Sequence, residues 1–379
     1  MMASESRARI RLRLADAVLP VGSLLLLAAM LALILSAAGN TLGYDFEAYA
    51  GAARRLINGE RLYDAGASAA GGFGIYLYPP PFAVAIAPLL LLPDAVARWV
   101  WVLAMGCCLP LGANLMPVRR DVRWKIVCLG ALSWPFLYSV KLGQVGPLLF
   151  LLFAAAWRWM DRATPLGISI ALGALVKVQP AILVVWALAA DRRRAAVMAV
   201  VTAVVVVAVS TVFTGIGTWI DYLALLGRVS SAVSTPHNCS PGAVLYQAGF
   251  SEAVAGAGQW LASAAAAGAV LLLWRSGRAE VGLMGTIVAS QLLTPLLWDH
   301  YAMLLLLPTA WLLQRGRTWA AVIPILGWIT LFAKDNSATW LATASIPLTF
   351  FGVLALLLAE AHRERREEKW GDGDAAPKT

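Results

Sequence analysis

Residues 17–38 read AVLPVGSLLLLAAMLALILSAA, a stretch of 22 residues without a charged side chain. A helix needs about 20 apolar residues to cross a bilayer. The apolar core of a cleaved signal peptide is only about 7–15 residues long, so this stretch predicts a signal anchor that stays in the protein. The stretch therefore predicts a first membrane span.

The composition of the 379-residue chain also indicates a membrane protein, because 60% of its residues are hydrophobic and only 13% are charged. Soluble domains have roughly 45–50% apolar and 25% charged residues. These values exclude a disordered chain, a small disulfide-stabilised secreted domain and an ordinary soluble enzyme. A net charge of +9 would suggest nucleic-acid binding in a soluble protein, but membrane proteins concentrate Lys and Arg in their cytoplasmic loops. We therefore predict the lipid bilayer as a partner, and no nucleic acid.

Uncharged runs of this kind predict an all-α integral membrane protein with about 12 transmembrane helices. The runs lie near residues 17–38, 95–116, 125–140, 144–160, 165–177, 179–191, 195–213, 256–274, 281–297, 301–314, 318–333 and 340–360. The region 165–191 allows either a tight hairpin or one long broken helix. We expect one membrane domain over residues 1–360 and a charged cytoplasmic tail over 361–379.

The basic residues predict the orientation of these spans. With a cytoplasmic N-terminus, 22 of the 30 Lys and Arg residues fall on the cytoplasmic side, as the positive-inside rule expects. The eight on or near the outer side are Arg54, Arg55, Arg61, Arg98, Lys141, Lys177, Arg228 and Lys334. We therefore expect both termini in the cytoplasm of a bacterial-type plasma membrane protein.

Two outer segments, residues 39–94 and 214–255, are longer than the other connections, and long connections usually carry function. In the first, apolar residues recur at helical spacing over residues 43–63, which predicts an amphipathic juxtamembrane helix on the membrane surface. The proline-flanked apolar run 76–93 is short for a span, so we expect a re-entrant or interfacial piece.

Several polar residues fall at the outer ends of predicted spans, where polar groups are expensive and indicate a functional site. They are Lys141 and Gln144 in SVKLGQVGPLL, Lys177 and Gln179 in GALVKVQPAIL, Asp299 and His300 in TPLLWDHYAML, and His237 and Asn238 in STPHNCSPG. Together they predict an anionic ligand that carries a phosphate, to which Lys and protonated His would donate charge-assisted hydrogen bonds.

Each of these residues also has a purely structural explanation. An isolated lysine such as Lys141 can extend toward lipid phosphates, and Asp299 can cap a helix. Asn238 can make a turn. Asp45 stands at the start of the predicted surface helix, where it can be either the N-cap or a catalytic carboxylate. A functional role is favoured for Lys177, because apolar runs flank it on both sides. It is also favoured for His300, because the chain has only three histidines.

Motifs for other chemistry are missing. The sequence contains no Walker A loop, no Rossmann glycine pattern, no HExxH and no paired cysteines. The outer carboxylates are scattered without an Asp-x-Asp pair. We therefore predict no metal site and no cofactor.

Five stretches in order resemble glycosyltransferase family 87, from about residue 20 to residue 335. They are GYDFEAYAGAARRLINGERLYD, YLYPPPFAVAIAPLLLLP, KLGQVGPLLFLL, GISIALGALVKVQPAIL and LLTPLLWDHYAMLLLLP. The family belongs to the GT-C superfamily of polyprenyl-phosphate-sugar-dependent enzymes. The resemblance implies a GT-C bundle, and a multi-pass enzyme that transfers a sugar, commonly mannose, from a polyprenyl phosphate to a glycolipid, glycan or protein hydroxyl on the outer face.

The resemblance also implies residue roles. In GT-C enzymes an acidic residue of the first outer loop acts as the general base, and Asp45 occupies that position. His300 and Lys177 would stabilise the leaving phosphate, and Lys141 and Arg54 are further candidates. Gln144 would orient the sugar or phosphate, and His237 is a candidate in the second long segment. The donor would be a co-substrate, with no cofactor.

Two other classes of protein remain open. Twelve spans with both ends inside are a common layout of secondary transporters and lipid flippases, which use broken helices near the midplane. A non-catalytic assembly factor is the third possibility. It would tolerate replacement of both Asp45 and His300, whereas an enzyme would not.

Overall fold

The computed structural model describes residues 2–63, 75–229, 232–333 and 339–373. Throughout these ranges the regular structure is helical, without a strand. The predicted outer residue Lys334 lies outside them. The all-α class predicted from the sequence is therefore confirmed.

Sixteen α-helices follow one another in the described ranges. They are α1 (Met2–Ser36), α2 (Tyr44–Ile57), α3 (Pro80–Ile86), α4 (Asp94–Leu115), α5 (Arg120–Ala131), α6 (Trp134–Leu142), α7 (Gly146–Arg158), α8 (Ala163–Val176), α9 (Ile182–Ala189), α10 (Arg193–Thr214), α11 (Ile216–Val229), α12 (Pro241–Gln247), α13 (Glu252–Trp274), α14 (Ala279–Leu292), α15 (Leu306–Gln314) and α16 (Thr339–Gly373). Six 3₁₀ helices stand between them, at Gly39–Thr41, Ala87–Leu91, Gln179–Ala181, Ala232–Ser234, Asp299–Leu305 and Thr318–Ala333.

Five helices in the described ranges are long and apolar enough to cross a membrane. They are Val18–Ser36, Asp94–Leu115, Arg193–Thr214, Glu252–Trp274 and Trp340–Glu367. Helices α5 and α6, which meet at a bend of 66°, would make a sixth span if they are taken together. The chain is thus a multi-pass membrane protein, but the predicted number of about twelve spans is not confirmed. Each predicted run contains helix, but several of these helices are too short to span a bilayer.

The region 165–191 is broken in the middle. Helix α8 ends at Val176, Lys177 has extended backbone (φ −150°, ψ 138°), and Gln179–Ala181 forms a 3₁₀ turn before α9. Pro180 has no N–H to continue the α-helical hydrogen bonds. Helix α8 packs against α7 and α10, and α9 packs against α10 and α14, so each half has packing partners of its own. The break leaves Lys177 at the end of a helix that is otherwise apolar.

The amphipathic helix predicted at 43–63 is present as α2. It buries Phe46, Tyr49 and three alanines against the bundle, and it ends at Ile57. Acidic residues occupy its first turn and basic residues its last, which suits the helix dipole.

The second predicted piece, 76–93, contains α3 and the following 3₁₀ helix, which together are shorter than a span. Helix α3 packs against α2.

Two glycines with left-handed backbone conformation position α2 relative to α6. Gly43 (φ 66°) precedes α2, and Gly143 (φ 70°) follows α6. The Gly43 N–H donates to the Lys141 carbonyl at 2.8 Å, and the Trp101 indole donates to the Gly143 carbonyl at 2.6 Å. A Cβ on Gly143 would lie 3.4 Å from the Gly43 Cα, so the two turns are in close contact. This contact brings the start of α2 beside the chain that leaves α6.

Candidate active site

A single large cavity collects side chains from distant parts of the chain. Its volume is about 1260 Å³, and its walls come from α2, the segment before α3, the α6–α7 turn, the break after α8, helix α11, the second long segment and the 3₁₀ helix at Asp299. Pockets for one small ligand usually measure about 300–1,000 Å³. The cavity therefore has room for parts of two substrates at once.

Five of the seven sequence-predicted site residues line this cavity. They are Asp45, Gln144, Lys177, His237 and His300. The other two stand elsewhere. Arg54 pairs with Asp94 at 2.6 Å on the surface, and the Lys141 ammonium lies 5.4 Å from the ring centroid of Tyr138. The main-chain carbonyl of Lys141 also connects it to the start of α2, through the hydrogen bond from Gly43.

Asp45 is the second residue of α2, and its side chain is half-buried at the cavity wall. The N-cap position belongs to Gly43, and the Asp45 carboxylate accepts a hydrogen bond from Gln144 Nε2 at 2.7 Å. Burial raises the pKa of Asp45 above its ordinary value. His300, the hydrogen bond from Gln144 and Lys177 each act in the opposite direction. Asp45 is therefore a carboxylate directed into the site, and it does not serve as the cap of α2.

The Gln144 amide connects Asp45 to two buried tyrosines. Gln144 is 6% exposed, and its Oε1 accepts from the Tyr78 hydroxyl at 3.1 Å. The Tyr49 hydroxyl donates to the Tyr78 hydroxyl at 2.9 Å and lies 3.3 Å from the same Oε1. The rings of Tyr49 and Tyr78 also pack edge to face, with centroids 4.8 Å apart. Both ends of the amide thus contact protein groups.

Lys177 reaches the cavity from the break between α8 and α9. Its Nζ lies 3.6 Å from the ring centroid of Tyr301, which is a cation–π contact. Such a contact holds a cation in place without neutralising its charge, so Lys177 can still attract an anion. Asp45 is close enough to interact with Lys177 electrostatically.

His300 stands on the 3₁₀ helix Asp299–Leu305 and is 4% exposed. Its Nδ1 is 3.6 Å from Asp299 Oδ1, and its ring contacts that of Tyr301 with centroids 4.6 Å apart. Within the described residues its Nε2 has no hydrogen-bond partner. Because a buried polar atom is normally paired, this nitrogen is a candidate to bind a ligand.

The second long segment is attached to the chain that leads into His300. Asn238 Oδ1 accepts from the backbone N–H groups of Ser240 and Leu297, at 2.9 and 3.0 Å, and Asn238 Nδ2 donates to the Pro295 carbonyl at 2.8 Å. Asn238 therefore does more than shape a local turn. The neighbouring His237 has a positive φ of 59° and stands exposed at the cavity wall.

Three site residues were missed by the sequence analysis, namely Tyr49, Tyr78 and Tyr301. Tyr78 belongs to the quoted run YLYPPP and Tyr301 follows the quoted His300, so the signal available was an aromatic hydroxyl next to a polar candidate. Among the residues that the structure describes, no three His, Cys, Asp or Glu side chains cluster so as to hold a metal ion.

The comparisons with known proteins agree with one another. The model of glycosyltransferase family 87 matches residues 76–298, which is more than half of the chain. A relative from Mycolicibacterium smegmatis is named a polyprenol-phosphate-mannose-dependent alpha-(1-2)-phosphatidylinositol pentamannoside mannosyltransferase. It is 28% identical over 325 residues, which cover 80% of this chain and 77% of the relative. A relative of the same name from Mycobacterium tuberculosis is 27% identical over 293 residues, which cover 72% of this chain and 66% of the relative.

Proposed function

The chain belongs to glycosyltransferase family 87, and we propose that it moves a mannosyl group from a polyprenyl phosphate to a hydroxyl of a glycolipid acceptor. The names of the two relatives support mannose as the sugar and a lipid-linked phosphate as the donor. The observation that carries the proposal is the convergence of Asp45, Lys177 and His300 in a single cavity. Asp45 and His300 lie outside the matched residues 76–298, so their roles rest on this geometry.

Asp45 is the general base in the proposed reaction. Its carboxylate takes the proton from the acceptor hydroxyl while the hydroxyl oxygen attacks the anomeric carbon of the donor sugar. The bond between that carbon and the phosphate oxygen breaks, and polyprenyl phosphate leaves with the bonding electrons. Because the acceptor attacks the face opposite the leaving group, the anomeric configuration is inverted.

Lys177 and His300 stabilise the leaving phosphate. Negative charge develops on the bridging oxygen as the bond breaks, and fixed cations beside it lower the energy of the transition state. The Lys177 ammonium is held by Tyr301, and the His300 Nε2 has no partner within the described residues. Because each is close enough to Asp45 to interact with it electrostatically, base and phosphate site can act on one bound sugar.

We place this cavity on the outer face of the membrane. Along α14 the ion-paired Glu280 stands at the start of the helix, and the cavity residue Ser290 stands near its end. At the same end of α14 as Glu280, Glu364 pairs with Arg315 and Arg278. The sequence predicts both arginines on the cytoplasmic side. The cavity and the basic cluster thus occupy opposite ends of the same helix. The positive-inside rule then favours an outward-facing cavity.

The test uses membranes that contain the protein and polyprenyl-phosphate-[¹⁴C]mannose, with label followed into lipid, glycan and protein fractions. We expect wild-type membranes to label the lipid fraction and Asp45→Asn to lose transfer with unchanged protein amount. Glu47→Gln is the matched control, since Glu47 lies on the same turn of α2 but pairs with Arg98 outside the cavity. Wild-type transfer by Asp45→Asn would refute the base assignment, and no transfer by wild type would favour a transporter or flippase.

A further inference from the structure

We propose that Gln144 is a positioning residue that aims the Asp45 carboxylate at the acceptor, and that Tyr78 and Tyr49 fix the orientation of its amide. The inference rests on the proposed function, in which Asp45 is the base. It assigns Gln144 a task different from the sugar or phosphate contact that the sequence suggested.

The first step in the argument is the direction of the amide. A side-chain amide has one donor end and one acceptor end, and a carboxylate only accepts. Two hydroxyls, of Tyr78 and Tyr49, stand at 3.1 and 3.3 Å from Oε1, so Nε2 must face Asp45 at 2.7 Å. The reversed amide would place its oxygen against the carboxylate oxygen, and neither atom has a proton to donate. Only the observed orientation gives every donor and acceptor between Tyr49 and Asp45 a complementary partner.

The second step is that both tyrosines stay donors. Burial raises the pKa of Tyr49 and of Tyr78 well above the ordinary value, so neither hydroxyl loses its proton in the range where an enzyme works. The Tyr49 hydroxyl donates to Tyr78, and the Tyr78 hydroxyl donates to Gln144. The result is a directed series of three hydrogen bonds that ends on Asp45. Each donor polarises the next, which strengthens the last bond.

The third step is the effect on Asp45. A hydrogen bond to the charged form of a carboxyl lowers its pKa, and this one opposes the effect of burial. It also holds one carboxylate oxygen, Oδ2, and leaves Oδ1 for the acceptor proton. The other groups with an electrostatic effect on Asp45, or affected by it, are His300, Lys177, Tyr49, Tyr78, Tyr138 and Tyr301. Gln144 is therefore the uncharged side chain that opposes the effect of burial on the pKa of Asp45 and orients its carboxylate.

The experiment compares Gln144→Met and Tyr78→Phe with wild type in the [¹⁴C]mannose transfer assay over a range of pH. Loss of a hydrogen bond to a charged group is worth about 1.5–3 kcal/mol, so for Gln144→Met we expect kcat to fall about tenfold or more. The acid limb of the pH profile should move up by about one pH unit, because more Asp45 is protonated at a given pH. The donor KM should stay within about twofold of wild type. Tyr78→Phe should change both readouts in the same direction and by less.

Tyr76→Phe is the matched control. The buried Tyr76 ring lies next to that of Tyr78, with centroids 5.7 Å apart, but its hydroxyl donates to the Pro79 carbonyl at 2.9 Å and has no bond in the series. We expect its kcat and its pH profile to equal those of wild type. Protein amount and melting temperature in detergent separate a folding defect from a positioning defect. If Gln144→Met does not accumulate, Tyr78→Phe carries the test, since it removes a single oxygen.

Two results would overturn the proposal. A rise in donor KM at unchanged kcat in Gln144→Met would show that Gln144 contacts the substrate. An unchanged pH profile would show that it does not act on Asp45. Either result, combined with an inactive Asp45→Asn, leaves the proposed function intact, whereas an active Asp45→Asn contradicts the proposed function itself.

Discussion

At the scale of single residues, the site depends on polar groups whose partners are far away in sequence. Lys177 is the best example, because it follows an apolar helix in the sequence while its ammonium contacts the ring of the distant Tyr301 at the cavity wall. A cation–π contact in a desolvated place contributes about 2 kcal/mol. The contact thus gives the Lys177 ammonium a favourable partner at the cavity wall.

We predict that Tyr301→Leu raises the donor KM about tenfold, since the ring that positions Lys177 is lost. Tyr301→Phe is the matched control, because it keeps the ring face and should bind the donor nearly as wild type does. The measurement is the dependence of transfer rate on polyprenyl-phosphate-mannose concentration. Equal donor KM values for wild type and the leucine variant would contradict a positioning role for Tyr301.

At the scale of elements, the site depends on turns that direct short helices. Gly143 stands between α6 and Gln144, and its positive φ lets the chain turn so that Gln144 faces α2. A side chain on Gly143 would also meet the Trp101 ring at 3.2 Å and the Phe46 Cβ at 3.3 Å. The turn and the close approach both require a residue without a Cβ.

We predict that Gly143→Ala destabilises the protein by about 2 kcal/mol, from the left-handed backbone and the tight contacts together. The melting temperature in detergent should fall, and transfer activity should fall with it, because Gln144 moves relative to Asp45. Gly268→Ala is the control, since Gly268 lies within α13 and a Cβ there meets no atom within 4 Å. A melting temperature for Gly143→Ala equal to that of Gly268→Ala would refute this account of the turn.

At the scale of the whole molecule, charge and cavity are separated along the helices. Arg317 pairs with Glu360 at 2.7 Å, and Arg315 pairs with Glu364 at 2.9 Å, which connects the end of α15 to the C-terminal part of α16. Thr343, near the start of α16, lines the cavity. The ion pairs and the cavity therefore lie toward opposite ends of α16, as they do along α14.

We predict that the cavity faces outward and that the basic loops face the cytoplasm. In a variant whose four native cysteines are replaced by serine, Pro236→Cys should react with a membrane-impermeant maleimide in intact cells. Arg194→Cys should react only after permeabilisation, because the positive-inside rule places Arg194 in the cytoplasm. Pro236 is exposed at the cavity wall and Arg194 is exposed near the start of α10. Labelling of Arg194→Cys in intact cells would show that Arg194 faces outward, which contradicts the proposed topology.

The sequence by itself determined that this is an all-helical, multi-pass membrane protein of its family, and it located α2 and the break at Lys177. Hydrophobic runs, helical periodicity and a proline after a lysine are local properties, so they can be read without the fold. The sequence also identified Asp45, Gln144, Lys177, His237 and His300, all of which line one cavity.

Only the tertiary structure decided which candidates come together. Arg54 and Lys141 share the predicted outer side with Asp45, but neither side chain lines the cavity. Gln144 and Asp45 are 99 positions apart, and their hydrogen bond exists because the glycine turns before α2 and after α6 pack against each other. Such a contact depends on the packing of several helices at once. No periodicity within one segment encodes it, so the role of Tyr49 and Tyr78 in orienting Gln144 followed only from the assembled helices.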